Sequence, residues 1–214
     1  MENSLKKDFG TIAITPDLSI NNISSYIENL ELIHNNHHKI EFLIIRNKSL
    51  GKDEYKKLAE RIMQSLMGKL PCLLHFNSLD YFLEMGDLIS HGHGAHFTSS
   101  LLKKLNKTDL IRYFENEKTL GSSCHNSDEI NLSSDLNLDY CILGPVEDKR
   151  INGKVVTKGI GWERFSNLTQ NQLIKTYAIG GLSHENFEIA SKNNAHGIAG
   201  ISVSYTHLRA HETP

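Results

Sequence analysis

Eight short runs rich in Ile, Leu, Val and Tyr recur along the chain, and longer segments with helical spacing separate them. They are TIAIT (11–15), IEFLII (40–45), CLLHF (72–76), GAHF (94–97), TLGSSC (119–124), YCILG (140–144), TYAIG (176–180) and GIAGI (197–201). Apolar runs of strand length that alternate with helices specify a parallel sheet, because parallel neighbours need a long crossover and the crossover helix covers the sheet. An open doubly wound sheet would show the same alternation. Eight strand signals within 214 residues favour closure into a (β/α)8 TIM barrel of the α/β class, which needs no second domain. Asp53 is expected to cap a helix carrying Tyr55, Leu58, Ile62 and Leu66 on one face, and Ser183 another carrying Phe187 and Ala190. The stretch 101–118 fits a helix, a loop or both and is left unassigned.

Composition narrows the function classes. Lys and Arg number 23 against 25 Asp and Glu, and a net charge of -2 supplies no general attraction to nucleic acid or an anionic membrane. Cys72, Cys124 and Cys141 lie far apart and form no CxxC pair, which argues against zinc and disulfide frameworks and for a reducing cytoplasm. The opening MENSLKKDFG lacks the apolar core of a signal peptide, and no run approaches the roughly 18 apolar residues of a membrane span. After Val203 the residues SYTHLRAHETP show no repeated apolar face. The expectation is therefore a barrel over 1–203 with its last helix truncated or replaced, followed by a non-native or disordered tail over 204–214.

In such a barrel the residues just after each strand converge on one mouth, so the search for chemistry reduces to eight short loops. Arg46 and Lys48 follow the second strand two residues apart and read either as a solvated basic pair or as ligands for a phosphate or diphosphate. Gly180 and Gly181 follow the seventh strand, and Gly200, Ile201 and Ser202 end the eighth. Glycines there either make tight turns or let backbone N–H groups approach an anion, and barrels often bind phosphate at these two loops. Ser123 and His125 end the fifth strand, where an imidazole can move protons near neutral pH, although polar residues are common at strand ends. His91, His93 and His96 superficially suggest a metal site, but their spacing is no recognised ligand pattern and they fall in the approach to a strand, on the opposite side of the barrel from the mouth. No metal ligand is assigned, and Cys124 reads as a small buried residue.

IAITPD, RNKSL, FNS, GAHFTSS, GSSCHN, DYCILGPV, KGIGWERF, YAIGG and NNAHGIAGIS occur in the order and rough spacing of the thiamine phosphate synthase/TenI family, which the chain resembles over about residues 10 to 203. SSCHN, LGPV, GWERF and AIGG are most similar to the version that some bacteria fuse behind a Nudix (MutT-type) hydrolase. No Nudix signature is present. The resemblance implies that Arg46 and Lys48 contact a pyrimidine diphosphate, that Asn77 and Ser123 line the substrate site, and that Gly180, Gly181, Gly200, Ile201 and Ser202 surround a thiazole phosphate. It also implies that His125 stands where TenI-type members keep the proton-transfer group of a thiazole tautomerase.

The departures are as informative. The synthase holds magnesium on its diphosphate leaving group with two aspartates. In this chain Asn77 is followed by Ser78, the second aspartate position falls at or beside Leu101, and Ile44 replaces the Gln before the basic pair. The Thr-rich loop after the sixth strand has become EDKRINGKVVTKG, with Thr157 its one hydroxyl. A departing diphosphate without a cation would have only Arg46 and Lys48 to neutralise it. The leading expectation is thus a TenI-like barrel of thiamine biosynthesis that binds a small phosphorylated heterocycle, a thiazole phosphate, and needs no cofactor. The alternatives are thiamine phosphate synthase, which would need Mg2+, and a non-catalytic ligand-binding module. The resemblance also leaves room for a Nudix hydrolase partner made as a separate chain and for a homo-oligomer.

Overall fold

The computed structural model describes residues 9–36, 40–85, 88, 91–114, 118–151 and 153–201. Ser202 and the proposed tail over 204–214 lie outside them. Eight parallel strands close into a barrel: β1 (Gly10–Ile14), β2 (Ile40–Ile45), β3 (Cys72–Phe76), β4 (Gly94–Phe97), β5 (Thr119–Cys124), β6 (Tyr140–Leu143), β9 (Lys175–Ile179) and β10 (Gly197–Gly200). They follow one another around the ring in chain order, and β10 closes on β1 through Gly10↔Gly197 to Ala13↔Gly200. The eight runs read from the sequence are these eight strands. One element was not foreseen: an exposed antiparallel hairpin, β7 (Lys149–Ile151) with β8 (Lys154–Thr157), built from the charged loop after β6.

Helices cover the outside: α1 (Ile23–Asn36), α2 (Lys52–Ser65), α3 (Leu79–Glu84), α4 (Ser99–Leu102), α5 (Lys107–Tyr113), α6 (Ser127–Asp135), α7 (Trp162–Thr169) and α8 (Phe187–Lys192). The unassigned 101–118 stretch holds the end of α4 and all of α5, whose Asn106 cap accepts the Asp109 N–H at 3.0 Å. In α2 the buried positions Tyr55, Leu58, Ala59, Ile62 and Met63 recur at helical spacing and pack on the sheet. Asp53 is not the cap expected of it. The cap of α2 is Gly51, two residues earlier, whose N–H donates to Glu54 at 3.2 Å, which leaves Asp53 in the first turn, where its charge favours the helix dipole. Ser183 does precede its helix through a 3-10 turn at His184–Asn186, and its N–H donates to Asn186 Oδ1 at 2.8 Å.

Strand alternation divides the core in two. Leu43, Ile45, Leu74, Phe76, Phe97 and Leu143 point out and pack under the helices. Ile12, Ile14, Phe42, Ile44, Leu73, Tyr140, Ile142, Tyr177 and Ala199 point in and fill the barrel. Full burial of each large apolar side chain is worth about 1.5–3 kcal/mol, so both layers stabilise the closure. The inner layer is bulky at the floor: Phe42 and Tyr140 rings lie 4.9 Å apart, Tyr140 and Tyr177 5.9 Å. Gly121 makes room for this, since a Cβ there would sit 2.1 Å from the Tyr140 ring. These aromatics fill the floor, and a cavity lies at the C-terminal ends of the strands. Among the described residues, no helix is long and apolar enough to cross a membrane.

Candidate active site

A cavity of about 290 Å³ opens at that end of the barrel. Its apolar wall is Ile14, Ile44, Ile142, Ile179 and Ala199, and its polar groups are Arg46, His75, His96 and Ser123. Gly180, Gly181, Leu182, Gly200 and Ile201 complete the rim. Among the residues expected from sequence, Arg46, Ser123, Gly180, Gly181, Gly200 and Ile201 therefore converge on one space. Lys48, Asn77 and His125 do not line it, and Ser202 lies outside the described residues.

The loop after β2 is held by short local bonds. The Thr15 hydroxyl donates to Arg46 O at 2.5 Å and accepts the Arg46 N–H at 2.8 Å, so the backbone that carries the guanidinium is tied to β1. Asn47 Nδ2 donates to Leu18 O at 2.9 Å, and the Lys48 N–H donates to Asp17 at 2.9 Å. From outside, the buried Tyr55 hydroxyl donates to Ile45 O at 2.8 Å and accepts the His75 N–H at 3.0 Å, joining the ends of β2 and β3. Burial raises the Tyr55 pKa, so this hydroxyl keeps its proton.

On the far side, Gly180 and Gly181 carry φ of 101° and 71°, in the region that favours glycine. Their loop is laced to the one after β6: Val146 N–H donates to Ile179 O at 2.8 Å and Glu147 N–H to Gly180 O at 3.1 Å. At Gly180, Gly181 and Gly200 the main chain forms part of the cavity rim directly, a geometry that suits an anion.

Two imidazoles line the opposite wall. His96 on β4 is buried, with Nδ1 2.9 Å from Tyr140 Oη and Nε2 2.9 Å from Ser123 Oγ. Both partners are hydroxyls, which can donate or accept, so they suit a neutral ring in which one nitrogen donates and the other accepts. Burial, then the neighbouring His75, hold its pKa well below 6.5. His75 on β3 stacks on it, with centroids 5.9 Å apart and planes 22° from parallel. Burial, then the positive charges of Arg46 and Lys48, push the His75 pKa down to about 4.

His96 corrects the sequence reading that placed all three clustered histidines away from the mouth. His93 does sit at the N-terminal end of β4, where its Nδ1 accepts the Cys72 N–H at 3.2 Å, but His96 lies three residues on and points inward. The missed signal was strand alternation: in CLLHF and GAHF an imidazole takes an inward position, and the register pairs His75 with His96.

His125 takes a different post. It stands exposed just past β5, its Nδ1–H donating to Gly144 O at 2.7 Å and its backbone N–H to Glu129 at 2.7 Å. Glu129 is buried, and its other oxygen meets Lys103 Nζ at 2.7 Å. Cys124, beside it, points outward into a buried network with Ser122 and Ser133, in keeping with a small packed residue.

The positions expected of magnesium-holding aspartates carry no carboxylate. Ser78 caps α3 by accepting the Tyr81 N–H at 3.2 Å, and Leu101 is a buried core residue. Among the described residues, no three His, Cys, Asp or Glu side chains group as a metal site.

The family model described as thiamine monophosphate synthase (TMP-TENI) matches residues 14–203. A protein of Aquifex aeolicus (strain VF5) named "Putative thiamine-phosphate synthase 2" is 26% identical over 180 residues, covering 84% of this chain and 89% of that protein. A solved structure of thiamine phosphate pyrophosphorylase from Pyrococcus furiosus superposes with a TM-score of 0.67 at 18% identity, over 95% of this chain and 91% of that one. FabK from Thermotoga maritima shares the barrel alone, with a TM-score of 0.61 at 10% identity over 94% of this chain and 60% of its own. With the family model spanning every barrel strand from the end of β1 onward, the chain belongs to the thiamine monophosphate synthase (TMP-TENI) family.

Proposed function

We propose that this chain serves thiamine biosynthesis as a TenI-like barrel, binding a thiazole phosphate at its mouth and catalysing the proton transfer of a thiazole tautomerisation. One observation carries the reading: the cavity combines a glycine-lined cradle and Arg46 with two neutral imidazoles, and it lacks the carboxylates that a diphosphate-releasing reaction needs. The phosphate would rest on Gly180, Gly181, Gly200 and Ile201, with Ser202 as a further contact, and the ring between the isoleucines. Arg46 contributes charge, and Lys48 and Asn77 are the further contacts that the resemblance implies. The resemblance assigns the proton transfer to His125. Its ring stands outside the cavity lining, so it reaches only a ligand atom that projects past Ser123 to the rim.

The synthase reading differs in a measurable way, because a departing diphosphate needs a cation that tautomerisation does not. The test is to follow isomerisation of a thiazole phosphate tautomer by proton NMR with EDTA present. The expected result is turnover at a rate unchanged by the chelator. Magnesium-dependent joining of a pyrimidine diphosphate to the thiazole phosphate would instead make the chain a synthase. Binding without either turnover would make it a non-catalytic module.

A further inference from the structure

The ring lies where the strand order puts it. In an eight-membered ring of strands β3 and β4 stand directly across from β9 and β10, so His75 and His96 face the glycine loops from the opposite wall. A ligand whose phosphate sits in the glycine cradle presents its heterocycle to that wall. Both nitrogens of His96 are already bonded to Tyr140 and Ser123, which fixes the ring as a neutral platform. His75 lies stacked beside it, and its ring lines the cavity.

We propose that His75, rather than His125, is the catalytic residue that takes up and returns the proton when a thiazole phosphate tautomerises in this cavity. The inference rests on the TenI-like reading above and assigns its proton carrier. One C–H bond of the heterocycle breaks and its proton goes to the unprotonated nitrogen of His75. The bonding pair enters the conjugated system, and the imidazolium returns the proton to a second carbon as a new C–H bond. No oxidant, reductant or co-reactant enters. His96 and Tyr55 are positioning residues: the first fixes the plane of the ring by stacking, the second holds the end of β3 through the His75 N–H.

The depressed His75 pKa supports this, because the ring is neutral at pH 7 and free to accept a proton. Beyond burial, the positive charges of Arg46 and Lys48 oppose its protonation.

The test uses the full chain with His75→Gln and His125→Gln, assayed for isomerisation of a thiazole phosphate tautomer and for thiazole phosphate binding by calorimetry. His75→Gln is expected to lower kcat by about 100-fold or more, the usual worth of a positioned acid or base, with the dissociation constant within about threefold. In the wild type, the His75 ring-nitrogen resonances should shift with thiazole phosphate and not with inorganic phosphate alone, which reports contact independently of turnover or of a misfolded variant. If His75→Gln keeps its rate while His125→Gln loses it, the role returns to His125 and the inference falls while the tautomerase reading stands. Unmoved His75 resonances under saturating thiazole phosphate would overturn it likewise. If the wild type neither binds nor isomerises the thiazole compounds, the reading and the inference fall together.

Discussion

Gly180→Ala is expected to abolish binding of a thiazole phosphate and to destabilise the fold by roughly 1–3 kcal/mol, the cost of holding a side chain in an unfavourable backbone region. Two effects add. At φ of 101° an L side chain is strained, and a Cβ would come within 2.5 Å of the Pro145 Cβ and 2.7 Å of its Cα. The neighbour is main chain and a rigid ring, so it cannot swing aside, and the β9 loop must move away from the β6 loop. That movement breaks the bonds from Val146 and Glu147 to Ile179 O and Gly180 O, which set the cradle's shape. Gly153→Ala at the hairpin tip is the matched comparison: φ is 77° and a Cβ there meets nothing within 4 Å. Strain alone should cost that variant about 1 kcal/mol and leave binding intact. Urea midpoints and calorimetric titrations of the two variants measure both quantities.

The second large effect is acid instability with a defined window. His75 titrates at about 4 in the folded chain against 6.5 for an ordinary imidazole, and His96 is depressed as well. Between these values the unfolded chain binds protons that the folded chain refuses, so folding stability drops as pH falls from about 6.5 toward 4. Above 6.5 both states are neutral at these rings and the contribution is constant. At roughly 1.4 kcal/mol per pH unit, His75 alone accounts for a loss on the order of 3 kcal/mol across the window. Carboxylates elsewhere also respond to acid, so the telling comparison is His75→Gln against wild type. Urea midpoints at pH 7.5, 6 and 5 should converge as pH falls, because the variant lacks that imidazole. Parallel curves for the two proteins would refute the assignment of a neutral His75.

The barrel was legible because its strands are short apolar runs, each bounded by a polar or glycine-containing stretch. IEFLII, CLLHF, GAHF and TLGSSC are strands over their full length, YCILG and GIAGI run one residue past theirs, and TIAIT and TYAIG are offset by one residue. The hairpin after β6 escaped notice because its strands are brief and charged. The Asn-Gly dipeptide between KRI and KVVT was the available turn signal. Helix α2 shows the opposite hazard: Asp53 has the chemistry of a cap, yet the chain turns at Gly51, whose own N–H finds Glu54.

The site was half legible. Arg46 and the glycines announce themselves by residue type at strand ends, where the topology places every functional loop. The imidazoles did not, because twelve histidines dilute the meaning of any one, and His75 and His96 lie within strands where side-chain direction decides everything. His125 drew attention by its motif, and the bond from its Nδ1–H to Gly144 O, which holds the ring at the rim, depends on a turn that spacing does not reveal. The missing aspartates at Ser78 and Leu101 were readable from sequence. The structure adds their present work, as a helix cap and a core residue.

The most direct test of the central claim is calorimetric titration of the full chain with thiazole phosphate and, separately, with pyrimidine diphosphate, each with and without magnesium. Saturable binding of thiazole phosphate with an affinity indifferent to magnesium is the predicted result. Binding only of the pyrimidine diphosphate, and only when magnesium is present, would contradict it.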